Sequence, residues 1–393
     1  MGTINVLVLG YGITGSVIVR DLAETSRVDI VVADKRPLET KRLADEIRSE
    51  KVTAEQIDVT DHNKLVKLLG RGFDVVVNST FYQFNVNVMR AAIESGVNYV
   101  DLGGLYHVTL KQLELNDKAE KAEVTAILGC GCAPGITNVL AMHGANKLEK
   151  VNSVYMYSGT VVFKEITGVK IAYAVPTLLD ELTLNACPYR NGRYVEVPAF
   201  SDEETLRFPE PIGEVKAYIV IHSELATIPR TIDKGIKNAI FRIIISPAAV
   251  SKLKTLDEVG LTSNEALDVK GVSISPREFL ERYFGSLSRP KIKTGDEVHV
   301  VRVDVVGEKD GEETRCTLDL INDPKPEWNA SSSGFVTGVS ASIIAQMLAR
   351  GEVQLRGVVP SEACIRPERF IAELTKRGIR IHETLKATRL LAS

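Results

Sequence analysis

The chain has 393 residues, 44% of them hydrophobic and 25% charged, with a formal net charge of −3. That length predicts two or three domains at about 150 residues each, and the balanced charge excludes a basic nucleic-acid surface or a polybasic membrane patch. No apolar run approaches the roughly 20 residues of a bilayer-spanning helix, and the start Met1-Gly2-Thr3 offers neither the basic region of a signal peptide nor the free tail that myristoylation requires.

Apolar runs of strand length stand at 4–9, 29–33, 54–59, 74–79, 98–102 and 125–129. Stretches of helical period separate them, such as Val17, Val19, Leu22 and Val88, Ala91, Ala92, Ile93. Near-continuous Val/Ile runs mark strands buried on both faces, and their alternation with helices predicts an α/β, Rossmann-type doubly wound parallel sheet. After Gly135 the rhythm changes. Alternating runs at 150–160, 214–222, 240–246 and 297–306, with 314–320 closing a hairpin across Gly307–Gly311, predict a mixed or antiparallel sheet with one solvated face. Helical periods at 248–255 and 276–284 complete an inserted α+β domain. Val336, Val339, Ile343, Ile344 and Met347 then form a helical stripe ended by Gly351, and a further helix runs from Pro367 to Gly378. The chain therefore divides into a dinucleotide-binding domain over 1–133, a substrate domain over 134–334 and a C-terminal helical return to the first domain over 335–393.

Gly10-Tyr11-Gly12-Ile13-Thr14-Gly15 follows the first run directly and opens a helix. Gly10 permits the tight turn, Gly12 lets the backbone approach a pyrophosphate, and Gly15 lets helix and strand pack closely while the helix N-terminus faces the phosphate charge. Asp34 ends the second run at close to the expected spacing of about 20 residues, where a carboxylate accepts hydrogen bonds from an adenosine ribose. This favours NAD. Lys35 and Arg36 follow immediately and would clamp a 2′-phosphate if Asp34 turned aside, so NADP stays open. Asp58, at the end of the third run, is either an adenine contact or an ordinary loop carboxylate.

Three stretches are specific in kind: Asn78-Ser79-Thr80-Phe81-Tyr82-Gln83-Phe84-Asn85, then Gly96 to Gly104, then Gly131-Cys132-Ala133-Pro134-Gly135-Ile136-Thr137-Asn138. They resemble the saccharopine dehydrogenase family, and within it the FYQFN stretch is most similar to the lysine 6-dehydrogenase branch. Val175-Pro176-Thr177, Tyr189 to Gly192, His222-Ser223-Glu224 and Gly357 to Pro360 extend the likeness over nearly the whole chain. The resemblance implies NAD(P)-dependent oxidation at a C–N bond of an amino acid. It also implies a homodimer, with the second domain serving both substrate binding and dimerisation.

In a doubly wound sheet the ligand lies beyond the carboxyl ends of the strands. That places Asn78, Ser79, Thr80, Gly131 and Pro134 beside the cofactor, and Phe81, Tyr82, Gly135 and Asn138 beside the substrate. Oxidising an amine requires a proton acceptor near its nitrogen. Asp101 is the first choice, its alternative being a turn cap ahead of Gly103-Gly104. His107 and Tyr106 follow, His107 with the alternative of an exposed loop residue. In the second domain His222, Glu224 and Arg230 are candidates for holding the substrate's α-carboxylate, with a surface ion pair as the alternative. Thr337-Gly338, at the head of the returning helix, closes the site.

The five cysteines (130, 132, 187, 316 and 364) are scattered, Cys130 and Cys132 are too tightly spaced for a zinc ribbon, and no His-Glu-x-x-His pattern occurs. They read as reduced thiols of a cytoplasmic protein that holds no metal, and Cys130 and Cys132 as small buried residues. The expected reaction is oxidation of C6 of L-lysine or of saccharopine to the semialdehyde. The alternatives are reductive amine–aldehyde condensation of the carboxyspermidine type and a cofactor-binding regulatory protein without turnover.

Overall fold

The computed structural model describes residues 4–163, 174–287 and 293–388. Residues 1–3, on which the expectations about a leader and myristoylation rest, lie outside them. The first strands are β1 Asn5–Leu9, β2 Asp29–Asp34, β3 Val52–Gln56, β4 Val75–Asn78, β5 Asn98–Asp101 and β6 Thr125–Leu128. The second region holds β7 Lys150–Val162, the short β8 Tyr189–Arg190 and β9 Arg193–Tyr194, β10 Glu203–Arg207, β11 Glu214–Ile219 and β12 Asn238–Ile244. A small hairpin of β13 Leu267–Val269 and β14 Val272–Ile274 follows, then β15 Glu297–Lys309, β16 Glu312–Asn322, β17 Gly357–Pro360 and β18 Arg380–Thr388.

The first sheet runs β17-β6-β5-β4-β1-β2-β3, with every pairing parallel. Successive side chains of a strand face opposite ways, and here both ways are apolar. Val6, Val8, Val75 and Val77 enter one core, whereas Leu7, Leu9 and Val76 enter another on the far side. The strand order reverses between β1 and β4, so flanking helices lie on opposite faces and leave a crevice beyond the carboxyl ends. The third strand forms at 52–56 rather than 54–59, because Ile57 and Val59 are buried in the loop that follows it.

The second sheet is mixed: β10-β11-β12-β7-β15-β16-β18, with β7 and β12 parallel and the other neighbours antiparallel. The expectation of one solvated face fails at its centre. Val301, Val303 and Val305 of β15 join the main core, while Val298 and Val300 pack with Tyr157, Phe208 and Ile244 on the opposite face.

The stripe after residue 332 becomes the helix Ser332–Ala349, which is long and apolar enough to cross a membrane by composition, yet 83% buried inside the protein. It is a core helix, and burial on all sides explains an apolarity wider than one stripe. It packs along the helix Ile13–Thr25, where a Cβ on Gly338 would stand 2.6 Å from Val17 Cγ1 and 2.9 Å from the Thr14 carbonyl oxygen. The last segment then divides: β17 extends the first sheet beside β6, and β18 extends the second beside β16.

A buried ion pair fastens this return. Asp21, 1% exposed, accepts from Arg377 Nε at 2.7 Å, from Arg377 Nη2 at 3.0 Å and from Ser342 Oγ at 2.6 Å. The helix Ile13–Thr25 is thereby joined on one carboxylate to Ser342 of the returning helix, 321 residues on, and to Arg377 at the end of the helix Pro367–Lys376, 356 residues on. Arg377 also pairs with Glu373 at 2.8 Å, so it is removal of Arg377 that strands a charge, and Arg377→Met should destabilise the fold by about 3–5 kcal/mol in urea unfolding. The double change Asp21→Ala with Arg377→Met should recover much of that loss.

Candidate active site

Between the two sheets lies a cleft of about 800 Å³. Its floor at one end is the glycine turn after β1. A Cβ on Gly10 would stand 2.9 Å from the Ser79 carbonyl oxygen, and one on Gly15 would stand 2.7 Å from Ser79 Oγ, so both positions are closed to a side chain. At Gly12 nothing stands within 4 Å. That open space adjoins the start of the helix Ile13–Thr25, which has no side-chain cap and no acid in its first turn. A bare helix N-terminus beside an empty backbone cradle fits the pyrophosphate of NAD(P). Gly12, Ile13, Thr14, Gly15, Ser79, Thr80 and Pro134 all line the cleft as the sequence predicts.

Asp34 lies at the outer end of this turn. It accepts from Tyr11 N at 2.7 Å, and from Arg36 N at 3.0 Å and Nε at 2.9 Å. Burial works against its charge, but the Arg36 and Tyr11 hydrogen bonds hold its carboxyl below the ordinary value. Arg36 is exposed but engaged: besides Asp34 it reaches the Tyr11 carbonyl and lies over the Tyr11 ring. Lys35 and Asp58 are exposed, and Asp58 accepts from Thr60 N and Oγ1.

The expected catalytic trio does not line the cleft. Asp101 is fully buried and accepts from Gly103 N, Gly129 N, Gln112 Nε2 and Tyr99 Oη at 2.7–3.0 Å. Burial raises its pKa and these four donors oppose the rise. It pins the loops after β5 and β6, which is the turn-cap alternative enlarged. His107 is exposed, and Tyr106 packs away from the cleft on the Tyr194 ring at 5.5 Å. Arg230 is exposed beside those two tyrosines, so it is no carboxylate anchor of this cleft.

Other expected contacts stand one layer behind. Asn78 is 1% exposed, donating to Asn85 Oδ1 and accepting from Thr80 N and Oγ1. Gly131 and Gly135 bridge each other beneath Pro134, and Asn138 Oδ1 accepts the Gly135 amide at 3.0 Å. Phe81 and Tyr82 do line the cleft. Tyr82 Oη donates to Asp180, which in turn accepts from Arg277 at 2.6 Å, tying the β4 loop to the second domain.

His222 is the histidine that both sequence and structure bring to the cleft. Its ring stacks on Phe241 at 3.7 Å, and Nδ1 is held by Glu224, which is wholly buried and accepts from Thr137 Oγ1 at 2.7 Å. With Nδ1 committed, Nε2 is the nitrogen left for a ligand. Burial opposes protonation of His222, but the charge and hydrogen bond of Glu224, reinforced by Glu181, hold its pKa above the ordinary histidine value. Glu181, 4% exposed, is a cleft residue that the sequence reading missed.

His299 was missed too. It lies between Ser158 Oγ and Thr160 Oγ1, each at 3.0 Å, and burial pushes its pKa down to about 4, so it is a neutral polar wall. Only the register of β15 on β7, which sets His299 opposite Thr160, reveals it. Cys132 also lines the cleft, its thiol pushed up to about 12 by burial and hence inert. Among the described residues all five cysteines are free and no cluster of metal-ligating side chains occurs.

Comparison with known proteins agrees with this arrangement. The family model of the saccharopine dehydrogenase NADP binding domain matches residues 6–127, and that of the saccharopine dehydrogenase C-terminal domain matches residues 131–379. Carboxyaminopropylagmatine dehydrogenase of Synechocystis sp. is 25% identical over 97% of this chain and 97% of its own. Carboxynorspermidine synthase of Vibrio alginolyticus is 23% identical over 96% of each. Apo saccharopine dehydrogenase (L-Glu forming) from Saccharomyces cerevisiae shares the fold at a TM-score of 0.76 and 20% identity, covering 98% of this chain and 100% of that one. Homospermidine synthase of Legionella pneumophila, solved with NAD, gives 0.69 at 11% identity, covering 98% and 92%.

Because a Cβ at Gly12 meets nothing within 4 Å, Gly12→Val places its branches in the open cradle. Stability should change by no more than about 1 kcal/mol, whereas the Kd for NADH and NADPH should rise by about tenfold or more, or about 1.4 kcal/mol. Thermal melting and fluorescence titration measure the two effects separately.

Proposed function

The chain belongs to the saccharopine dehydrogenase family and is an NAD(P)-dependent oxidoreductase, and from that premise we propose that it oxidises C6 of a small cationic amino acid, with His222 taking the amine proton. The observation that carries this reading is the His222–Glu224 pair, aimed into the same cleft that the glycine turn opens. When bound, the nicotinamide supplies the two-electron acceptor. Neutral His222 Nε2 accepts a proton from the substrate ammonium, which frees the nitrogen lone pair that assists C–H cleavage. After water adds to the iminium carbon, the same nitrogen returns a proton to the departing amine. Glu224 stabilises the imidazolium between those events. Asp34 and its Arg36 partner face the adenosine side, and the engaged guanidinium favours NAD over NADP.

The walls carry both signs. Among the described residues no arginine lines the cleft, but the cations Lys216 and Lys252 do, together with the acids Glu181 and Glu214. Saccharopine adds a second amino-acid end whose carboxylates call for further cations, best supplied by arginine forks. Lys216 and Lys252 offer such cations, whereas L-lysine, with one carboxylate and a second amine, would set that amine toward Glu181, so the walls accommodate either substrate. The likeness to carboxyaminopropylagmatine dehydrogenase and carboxynorspermidine synthase supports a second reading, reductive joining of an amine to a carboxylated aldehyde. The same proton-transferring group would serve it in reverse.

Purified protein with NAD or NADP and L-lysine should form reduced cofactor and ammonia without glutamate. Glutamate release from saccharopine would move the assignment to that substrate. Oxidation of carboxynorspermidine alone would select the polyamine reading, and no turnover with any of the three would sink all of them. His222→Asn should lower kcat by roughly 10²- to 10⁴-fold while leaving NADH binding intact. The base must be neutral to act, so oxidation climbs with pH through the His222 pKa. Since Glu224 raises that pKa, Glu224→Gln should shift the acidic limb of the kcat profile to lower pH and reduce its plateau.

A further inference from the structure

Behind the His222–Glu224 pair three segments meet that sequence alone keeps far apart. They are the first turn of the helix Ile136–Asn146, the head of the helix Glu224–Thr231 and the short helix Ser361–Cys364. Each contributes a polar side chain at least nine-tenths buried: Thr137 and Asn138, then Glu224 and Thr227, then Glu362. We infer that Glu362 is a positioning residue for His222, acting through Asn138 and Thr137 on the Glu224 carboxylate; this rests on His222 being the group that carries the proton.

The contacts run in order. Glu362 Oε2 accepts from Asn138 Nδ2 at 2.9 Å. The Asn138 amide cannot turn over, because its Oδ1 already accepts the Gly135 amide at 3.0 Å and an NH2 there would face a donor. Asn138 also reaches Thr227 Oγ1, more distantly at 3.5 Å. Glu362 therefore anchors the first turn of that helix, and Thr137, the neighbouring residue on the turn, donates to Glu224 Oε1 at 2.7 Å. The other Glu224 oxygen holds His222 Nδ1. Fixing one carboxylate oxygen fixes the direction of the second, and with it the imidazole tautomer that leaves Nε2 toward the cleft.

Glu362 has no packing reason to be a carboxyl. It is 2% exposed, burial raises its pKa, and Oε1 makes no well-formed hydrogen bond even with the Thr227 and Thr231 hydroxyls nearby. Such a group costs more in a core than an apolar side chain of similar volume. What an apolar residue cannot supply is the acceptor for Asn138. That identifies the acceptor oxygen, rather than negative charge, as the useful feature, and a glutamine carbonyl would replace it.

The test uses the full chain labelled with ¹⁵N-histidine, the His222 resonance being assigned by its loss in His222→Asn. The charges facing that ring are Glu224 and Glu181. Wild type and Glu362→Gln should both show the Nδ1-protonated tautomer of neutral His222 and comparable kcat. Glu362→Met should show mixed tautomers, a His222 pKa lowered as Glu224 loosens, and kcat reduced by about tenfold with the NADH Kd unchanged. Asn138→Ala should do the same, and the double variant should lose no more than Asn138→Ala alone, because the two act in series. A wild-type His222 spectrum in Glu362→Met overturns the inference, as do losses that multiply in the double variant. Should Glu362→Met not fold, a wild-type spectrum in Asn138→Ala overturns it equally. Retained turnover in His222→Asn would instead remove the proposed function, leaving the spectral coupling between the two residues to be judged alone.

Discussion

The site depends on how closely one helix can lie against another. Ser332–Ala349 returns from the second sheet and rests on Ile13–Thr25, the helix that starts at the phosphate turn, and the approach is possible only because Gly334 and Gly338 have no side chains where Ile13 and Val17 press in. Contact at this distance gains dispersion energy over the whole length of both helices. It also has a positional consequence. The head of the returning helix, with Ser331, Ser333 and Thr337, becomes part of the cleft wall beside Gly12 to Gly15. The second sheet, joined to that helix through β16, is thereby set above the carboxyl ends of the first. The Asp21–Arg377 pair holds the same junction from the opposite end of Ile13–Thr25.

Four buried carboxylates show how similar side chains take different work from their surroundings. Asp21 has a guanidinium and serves cohesion. Asp101 has four donors, two of them backbone amides, and fixes the loops from which Pro134 enters the cleft. Glu224 divides itself between a hydroxyl and an imidazole, so its charge is spent on a group that can accept and release a proton. Glu362 has one amide. Exposure does not separate these roles, because all four are nearly inaccessible. The identity of the donors does.

Much of the fold was legible in the residues. The six opening strands and the glycine turn follow from Val/Ile runs, helical periods and three glycines whose spacing has a steric reason. Ser79, Thr80, Phe81 and Tyr82 reach the cleft because they leave the end of a central strand, a place that strand order alone predicts. The catalytic trio went astray for a related reason. Being near the end of β5 put Asp101, His107 and Tyr106 in the correct neighbourhood, but one turn of chain decides whether a side chain faces ligand, core or solvent. Loop path is not written in hydrophobic periodicity. The His222-Ser223-Glu224 motif points to a substrate contact or a surface ion pair, but the burial of that pair and the stack on Phe241 are set only by the fold.

By itself the sequence determined the doubly wound sheet, the phosphate turn and the class of cofactor, since each rests on local rules: strand burial, the steric needs of glycine, and the charge at a helix N-terminus. Tertiary structure alone decided which titratable groups share the cleft. His222 and Glu181 belong to different elements of the second domain, Thr137 reaches Glu224 across 87 residues, and Glu362 reaches Asn138 across 224. A proton-transferring group is defined by its partners and its access to solvent. Both are properties of packing across hundreds of residues, which no local pattern encodes.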